Sequence, residues 1–350
     1  MIEKLKKKIS WRYRRWVEMQ LPFRVYKSRF LATLYYFLFS DAFRRENQAV
    51  LAGKVKHLER NQKDKSNLYL LVRNTHRIEK GLLMRPMRKI FALDYIGETV
   101  DAYSGFIKEE AGNHAAQQKW FTDVISSYFE SVEENEIIAV EKEKFFKCKD
   151  FLNGKESPIS SVPYMRNKET LSPITYEQFY ELNRQRRSVR WFQDKPVERE
   201  KVDKAILAAI QAPSACNRQP FEYRVLDNPD LVKKVVDFPM GTKGYAHSIQ
   251  TFIVVVGNLD AYFSERDRHL IYVDASLANM SLMLALETLG LSSCPINWPD
   301  IENREKMMEE FLKLSPYQRP IMCLGIGYPD FTGKVAFSEK RSLDQIRKYN

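Results

Sequence analysis

Two short stretches hold the residues of this chain best suited to chemistry. Arg186-Arg187-Ser188-Val189-Arg190 places three guanidinium groups and a hydroxyl within five residues. Arginine offers planar, paired donors that match phosphate oxygens, and it keeps its charge even when partly buried. That suits the grip of an anion. Pro213-Ser214-Ala215-Cys216-Asn217-Arg218-Gln219-Pro220 is of another kind. It is a proline-stiffened loop of small polar residues whose backbone and amides can approach a flat ring closely. One stretch suits a phosphate and the other a heterocycle, and the helix between them is expected to bring the two together. An arginine cluster alone is more often a solvated helix end, so the pairing carries the signal.

This pairing resembles the FMN-dependent nitroreductase family over roughly residues 175–345. In that family an Arg-x-Ser-x-Arg/Lys element grips the FMN phosphate and the pyrimidine edge, here Arg186, Ser188 and Arg190 with Arg187 beside them. A Pro-Ser-x-x-Asn-x-Gln-Pro loop packs along the flavin, here Pro213, Ser214, Asn217, Gln219 and Pro220. The resemblance extends to Lys243, after Gly241-Thr242, as a polar group near the pyrimidine. It also covers Pro295-Ile296-Asn297, a strand-end turn whose backbone amide faces flavin N5. Trp298 follows where glycine is usual, a departure that would alter the turn and narrow the pocket. Gly327 stands on the closing strand, and Lys340-Arg341 form a second phosphate-binding pair.

The resemblance implies an oxidoreductase that takes two electrons from NADH or NADPH and passes them to an electron-poor small molecule. Arg190 is then the cation that stabilises the reduced ring, with no side-chain acid or base required. It also implies an intertwined homodimer with flavin at the subunit interface. Two other readings are a specialised reductase or dehydrogenase of a surface-polysaccharide pathway and a flavin-bearing scaffold docked through the N-terminal region. Turnover of NADPH with any acceptor separates the enzymes from the scaffold.

Other chemistries fit less well. Gly325-x-Gly327 is followed by Pro329 with no helix opening, so the context of a dinucleotide fingerprint is missing. Cys148, Cys216, Cys294 and Cys323 show no C-x-x-C spacing, which argues against a zinc site or a disulfide framework and fits a reducing, cytoplasmic setting. Cys216 and Cys294 read as packing residues rather than nucleophiles.

The elements that must position these residues fall into two regions. The expected division is a mostly helical N-terminal extension over 1–152, a linker over 153–173 rich in Pro and Ser, and a flavin-binding domain over 174–350. Charge divides the same way. Residues 1–60 carry 15 Lys/Arg against 5 Asp/Glu, and the remainder 41 against 40, so the basic character is local. That excludes a protein-wide nucleic-acid surface. Ile2, Leu5, Ile9, Tyr13 and Trp16 recur at helical steps among the basic residues. Such a helix can lie on an anionic membrane surface or pack on its own protein. The apolar run from Phe30 to Phe39 is shorter than the roughly 20 residues a membrane span needs. With Leu21, Phe30, Leu31, Leu34, Phe37 and Leu38 so close together, packing on the catalytic half is the expectation.

In the second region the pattern predicts an α+β fold, a mixed sheet flanked by helices. Thr175-x-x-Gln178 opens a helix with a capping box and delivers the arginines. Val202, Ile206 and Ile210 stripe the next helix. Strands are expected at 221–226, 251–257, 291–296 and 320–328, and helices from Pro229, over 270–289 and over 301–312. The helix at 270–289 is apolar almost all round, so it is expected to be buried on every side, most easily between two subunits.

Overall fold

The computed structural model describes residues 2–61, 67–110, 114–149 and 160–350. Of the expected linker, residues 153–159 lie outside the described residues. From Ser160 the chain runs extended to Thr175, broken by one short turn at Lys168–Thr170.

Four strands make the sheet: β1 (Phe221–Leu226), β2 (Thr251–Asn258), β3 (Ser292–Asn297) and β4 (Gln318–Gly327), in the order β1-β2-β4-β3. All three pairings are antiparallel. The mixed character comes down to one parallel bridge, Ser188 to Ser293, on the outer edge of β3. β2 is buried along its whole length, and side-chain alternation explains why. Ile253 and Val255 face α10 (Arg199–Ala209) and α12 (Leu270–Thr288), where Val202, Ala205, Ala275, Ala278 and Leu282 close the layer. Phe252, Val254 and Val256 face the opposite layer, α11 (Pro229–Val235) and α13 (Glu302–Leu312), with Val232, Val235 and Met308. Pro229 starts α11 because a first-turn residue needs no N–H, and Asn228 caps it. The expected α+β class is therefore the observed one.

Four helices of the N-terminal region build their own core: α5 (Leu68–Leu82), α6 (Ile96–Glu110), α7 (Ala115–Ser131) and α8 (Glu136–Lys149). Leu71, Ile78, Tyr103, Phe121, Tyr128 and Phe145 are fully enclosed there. α4 (Arg44–Glu59) behaves differently and docks on the sheet domain. Its Ala49 joins Leu259, Ala261, Tyr262 and Ile271 in a common cluster. Gly53 permits that approach, since a Cβ there would fall 2.7 Å from the Leu259 carbonyl carbon. Arg45 clamps both carboxylate oxygens of Glu302 at 2.8 Å and reaches Glu309 at 2.6 Å.

α1 (Ile2–Met19), α2 (Leu21–Val25) and α3 (Arg29–Phe39) do not follow α4 onto the domain. The expected packing of the Phe30–Phe39 run is absent: Phe30 and Phe37 are each 74% exposed, and α3 buries no residue. α12 is covered on most of its sides in the single chain. Its apolar stripe of Val273, Leu277 and Met280 faces outward.

Candidate functional site

The arginine cluster is positioned by α9 (Tyr176–Gln185), whose capping box of Thr175 and Gln178 forms as expected. Arg186 ends that helix, its N–H donating to the Leu182 carbonyl at 3.1 Å. The chain then lies along β3, where Val189 N–H donates to Ser293 O at 3.1 Å. This clamp holds Ser188 and the arginines at the sheet edge. Polar atoms here are left unmatched: Arg186 Nε, Glu287 Oε1 and Ser293 Oγ are buried without a hydrogen-bond partner among the described residues. An orphaned donor of this kind costs about 1–3 kcal/mol unless something meets it. Burial pushes the Glu287 carboxyl above its usual range, opposed by a hydrogen bond from Ser292 and the charge of Arg186. A cavity of about 280 Å³ opens alongside, lined by Arg187, Trp191, Glu287, Phe331 and Lys334 among others. Arg187 and Lys334 bring two cations to this cavity, and Glu287 and Asp330 two carboxylates, while Arg186 Nε beside it is a buried donor without an acceptor among the described residues.

Arg190 continues the same edge. Its carbonyl accepts the Ser248 hydroxyl at 2.7 Å, and its guanidinium lies 5.8 Å over the Tyr245 ring. The Tyr245 hydroxyl sits 3.5 Å from Cys294 Sγ on β3, and burial raises that phenol well above its usual range. The turn carrying Lys243 is drawn to the same place, since a Cβ on Gly241 would fall 3.2 Å from Ile296. Lys243 itself is exposed. Pro295 lies on β3, an edge strand, as proline's missing donor requires. The structure thus unites Arg186, Arg187, Ser188, Arg190, Lys243, Pro295, Ile296 and Asn297 along one edge. Gly327 is buried and pairs with Ser292, but a Cβ there would strike the Phe192 ring at 2.8 Å. Its smallness serves packing.

Lys340 and Arg341 are exposed and follow the closing strand β4. One expectation needs correction. Trp298 does not intrude on a pocket: it is buried, and its indole N–H donates to Glu305 Oε1 at 2.9 Å beneath α13.

The second stretch is built with equal care but elsewhere. Cys216 and Asn217 both take left-handed backbone angles, φ 53° and 55°, as does Gln219 at 47°. Asparagine tolerates that region better than most side chains, whereas cysteine gains little from it. The turn is held by Ser214, whose hydroxyl accepts Gln219 N–H at 3.0 Å, and by Asp274, which accepts Ala215 N–H at 2.9 Å. Tyr262 also donates to Asp274, at 3.2 Å, and the Arg218 guanidinium lies 4.7 Å over the Tyr262 ring. Burial raises the Asp274 carboxyl, while the Ala215 amide, Tyr262 and Arg218 pull it back. Pro213 and Asn217 stay exposed, presented outward by this frame. α5 of the N-terminal region packs against the loop. Asp274 and Glu287 are the two acids inside the apolar run of α12, and that contrast is the signal by which the sequence could have marked them; Tyr262, Tyr245 and Ser248 carried no sequence signal.

The intervening helix does not bring the two stretches together. Asp274, beside the loop, and Glu287, beside Arg186, stand 13 residues apart on α12, which is about 20 Å along a helix. The outward stripe of Val273, Leu277 and Met280 lies on the helix that spans them.

Comparison with known proteins bears on the same region. Residues 184–243 and 239–328 match the model of the nitroreductase family. A protein of Archaeoglobus fulgidus named as an NADH dehydrogenase/NAD(P)H nitroreductase is 29% identical over 145 residues, covering 41% of this chain and 81% of its own. One of the same name from Methanothermobacter thermautotrophicus is 26% identical over 145 residues, 41% and 73% respectively. A solved structure of that name from Parabacteroides distasonis overlays with a TM-score of 0.44 at 26% identity, covering 49% of this chain and 98% of its own.

Proposed function

We propose that this chain, whose residues 184–328 match the nitroreductase family model, is an FMN-dependent oxidoreductase working as a homodimer. It passes two electrons from NADH or NADPH to an electron-poor small molecule. One observation carries the proposal: the arginine edge and the Pro213–Asn217 loop lie beside opposite ends of α12. A twofold pairing of chains across the outward face of α12 would set the arginine edge of one copy against the Pro213–Asn217 loop of the other.

FMN, when bound, supplies the two-electron chemistry. The chain's own residues bind and orient it. Arg186, Ser188 and Arg187 hold the phosphate, with Arg186 Nε as the buried donor in need of an acceptor. Arg190 and Lys243 place positive charge where the ring gains electron density, and such fixed charges act without reorganising. Pro295, Ile296 and Asn297 offer the β3 edge to the ring. Pro213, Ser214 and Asn217 of the other copy cover it and exclude water. Tyr245 stays a neutral phenol under its burial and serves as a platform for Arg190. We place the protein in the cytoplasm, where its four free cysteines would stay reduced.

The protein is expected to purify yellow and to release FMN on denaturation. Stopped-flow reduction with NADH and with NADPH then identifies the donor. A colourless preparation that takes up no FMN at micromolar concentration would sink the cofactor assignment.

Arg186→Ala is expected to weaken FMN binding by about 1.5–3 kcal/mol, the range for a charge-assisted hydrogen bond. Fluorescence titration of the apoprotein measures it. An unchanged dissociation constant would take Arg186 out of the phosphate site.

A further inference from the structure

α1, α2 and α3 make a surface left largely uncovered among the described residues. Among the described residues of this segment only Val17 belongs to the buried apolar set, and α2 and α3 bury none. The segment still has a defined shape. The Tyr35 hydroxyl donates to the Val17 carbonyl at 3.2 Å, tying α3 back to α1, and the Ser28 hydroxyl caps α3. Open to solvent on these helices are Trp11, Tyr13, Phe23, Phe30 and Phe37. An apolar surface of this extent on a soluble protein marks an interaction site.

Charge says what the partner is. Residues 11–39 carry Arg12, Arg14, Arg15, Arg24, Lys27 and Arg29 against Glu18 alone. All six cations are exposed, and among the described residues none has a carboxylate within ion-pair distance. A second copy of this chain would bring the same cations and repel. A phospholipid headgroup layer with net negative charge meets both features at once, with aromatic rings entering the interface and guanidinium groups meeting phosphate. α3 is 11 residues long, about 17 Å, against about 30 Å of hydrocarbon, so the segment lies on a bilayer and does not cross it. Beside α3 a groove of about 1040 Å³, lined by Tyr36, Phe37, Phe43 and Leu51, extends the apolar area toward α4.

From this juxtaposition of uncovered aromatic side chains and unpaired cations, we infer that α1–α3 dock the protein peripherally on an anionic membrane surface. α4 passes that attachment to the sheet domain, since Arg45 clamps it to α13. The inference is independent of the flavin.

The test uses full-length protein with phosphatidylcholine vesicles and with vesicles in which part of that lipid is replaced by phosphatidylserine, reading the bound fraction by sedimentation. Affinity for the anionic vesicles is expected to exceed that for the neutral ones by about 100-fold in low salt, because each cation near the surface contributes. It should fall steeply as salt shortens the Debye length. The triple variant Arg12→Glu, Arg14→Glu, Arg15→Glu should lose at least about tenfold in affinity. Phe30→Ser with Phe37→Ser should bind more weakly at every salt concentration. Neither variant removes a buried side chain, so both should fold. No binding, or equal binding to the two vesicle types, would overturn the inference. So would a change of oligomeric state in the Phe30, Phe37 variant with vesicle binding intact, which would make a second copy the occupant.

Discussion

Leu277→Asp is expected to turn a flavin-loaded dimer into a flavin-free monomer. Leu277 is 47% exposed in the single chain, at the middle of the Val273, Leu277, Met280 stripe. Full burial of a leucine stabilises by about 1.5–3 kcal/mol, so burying the exposed half contributes about half of that, and a twofold interface counts each residue twice. Losing that contribution alone raises the dimer dissociation constant by about 10–100-fold, and desolvating a carboxylate adds to it. The fold should survive, because the substituted side chain already meets water in the isolated chain. Flavin should leave with the partner, because the arginine edge and the Pro213–Asn217 loop of one chain lie about 20 Å apart. Light scattering and flavin fluorescence read the two consequences together. Leu277→Met is the control and should keep both. A Leu277→Asp monomer that holds FMN as tightly as the parent would mean that one chain completes its own site.

That argument also marks where the sequence is readable. Local chemistry shows through: the Thr175 and Gln178 capping box, Pro229 at a first helical turn and Pro295 on an edge strand all stand where their backbone restrictions put them. So does the all-buried β2, because alternation on two covered faces leaves a continuous apolar run. What does not show is distance. The roughly dozen residues between the two stretches that form α10 gave no hint that the stretches sit at opposite ends of a different helix, α12. Nor does composition tell a covered apolar helix from an uncovered one. The Phe30–Phe39 run and the 270–289 helix look alike in hydrophobicity, yet one buries nothing and the other buries all but a stripe. Covering is decided by which surfaces meet, and that is a tertiary fact. Trp298 makes the same point at one residue: bulk in place of an expected glycine suggests obstruction, while the structure turns the ring inward to Glu305.

Glu305 is the residue whose loss should damage the sheet domain most. It is buried beside Arg319, with Oε1 2.9 Å from Nη2, and the same oxygen accepts the Trp298 indole N–H at 2.9 Å. Burial works against the charge on Arg319, but Glu305, Tyr272 and Asp300 outweigh it and its pKa ends raised. Arg319 Nε and Nη1 have no partner of their own among the described residues, so Glu305 and the half-exposed Asp300 supply the compensation. Glu305→Ala therefore leaves a buried guanidinium with one exposed counter-charge, and the cost is expected to be about 3–5 kcal/mol. For a domain of this size that is on the order of 10 °C in melting temperature. Replacing both partners, Glu305→Met with Arg319→Met, should restore most of the loss, since an apolar pair of similar bulk carries no desolvation cost. Calorimetry of the three proteins checks the ordering. The effect should reach the site as well. Trp298 is pinned by the same oxygen, and Asn297 precedes it at the end of β3, so the single variant is expected to loosen the turn proposed to offer its backbone to the flavin. The double variant loses that pin too, and should regain stability while binding FMN more weakly than the parent. A single variant that melts with the parent would show that Asp300 alone compensates Arg319, and the buried pair would then have no part in holding the turn.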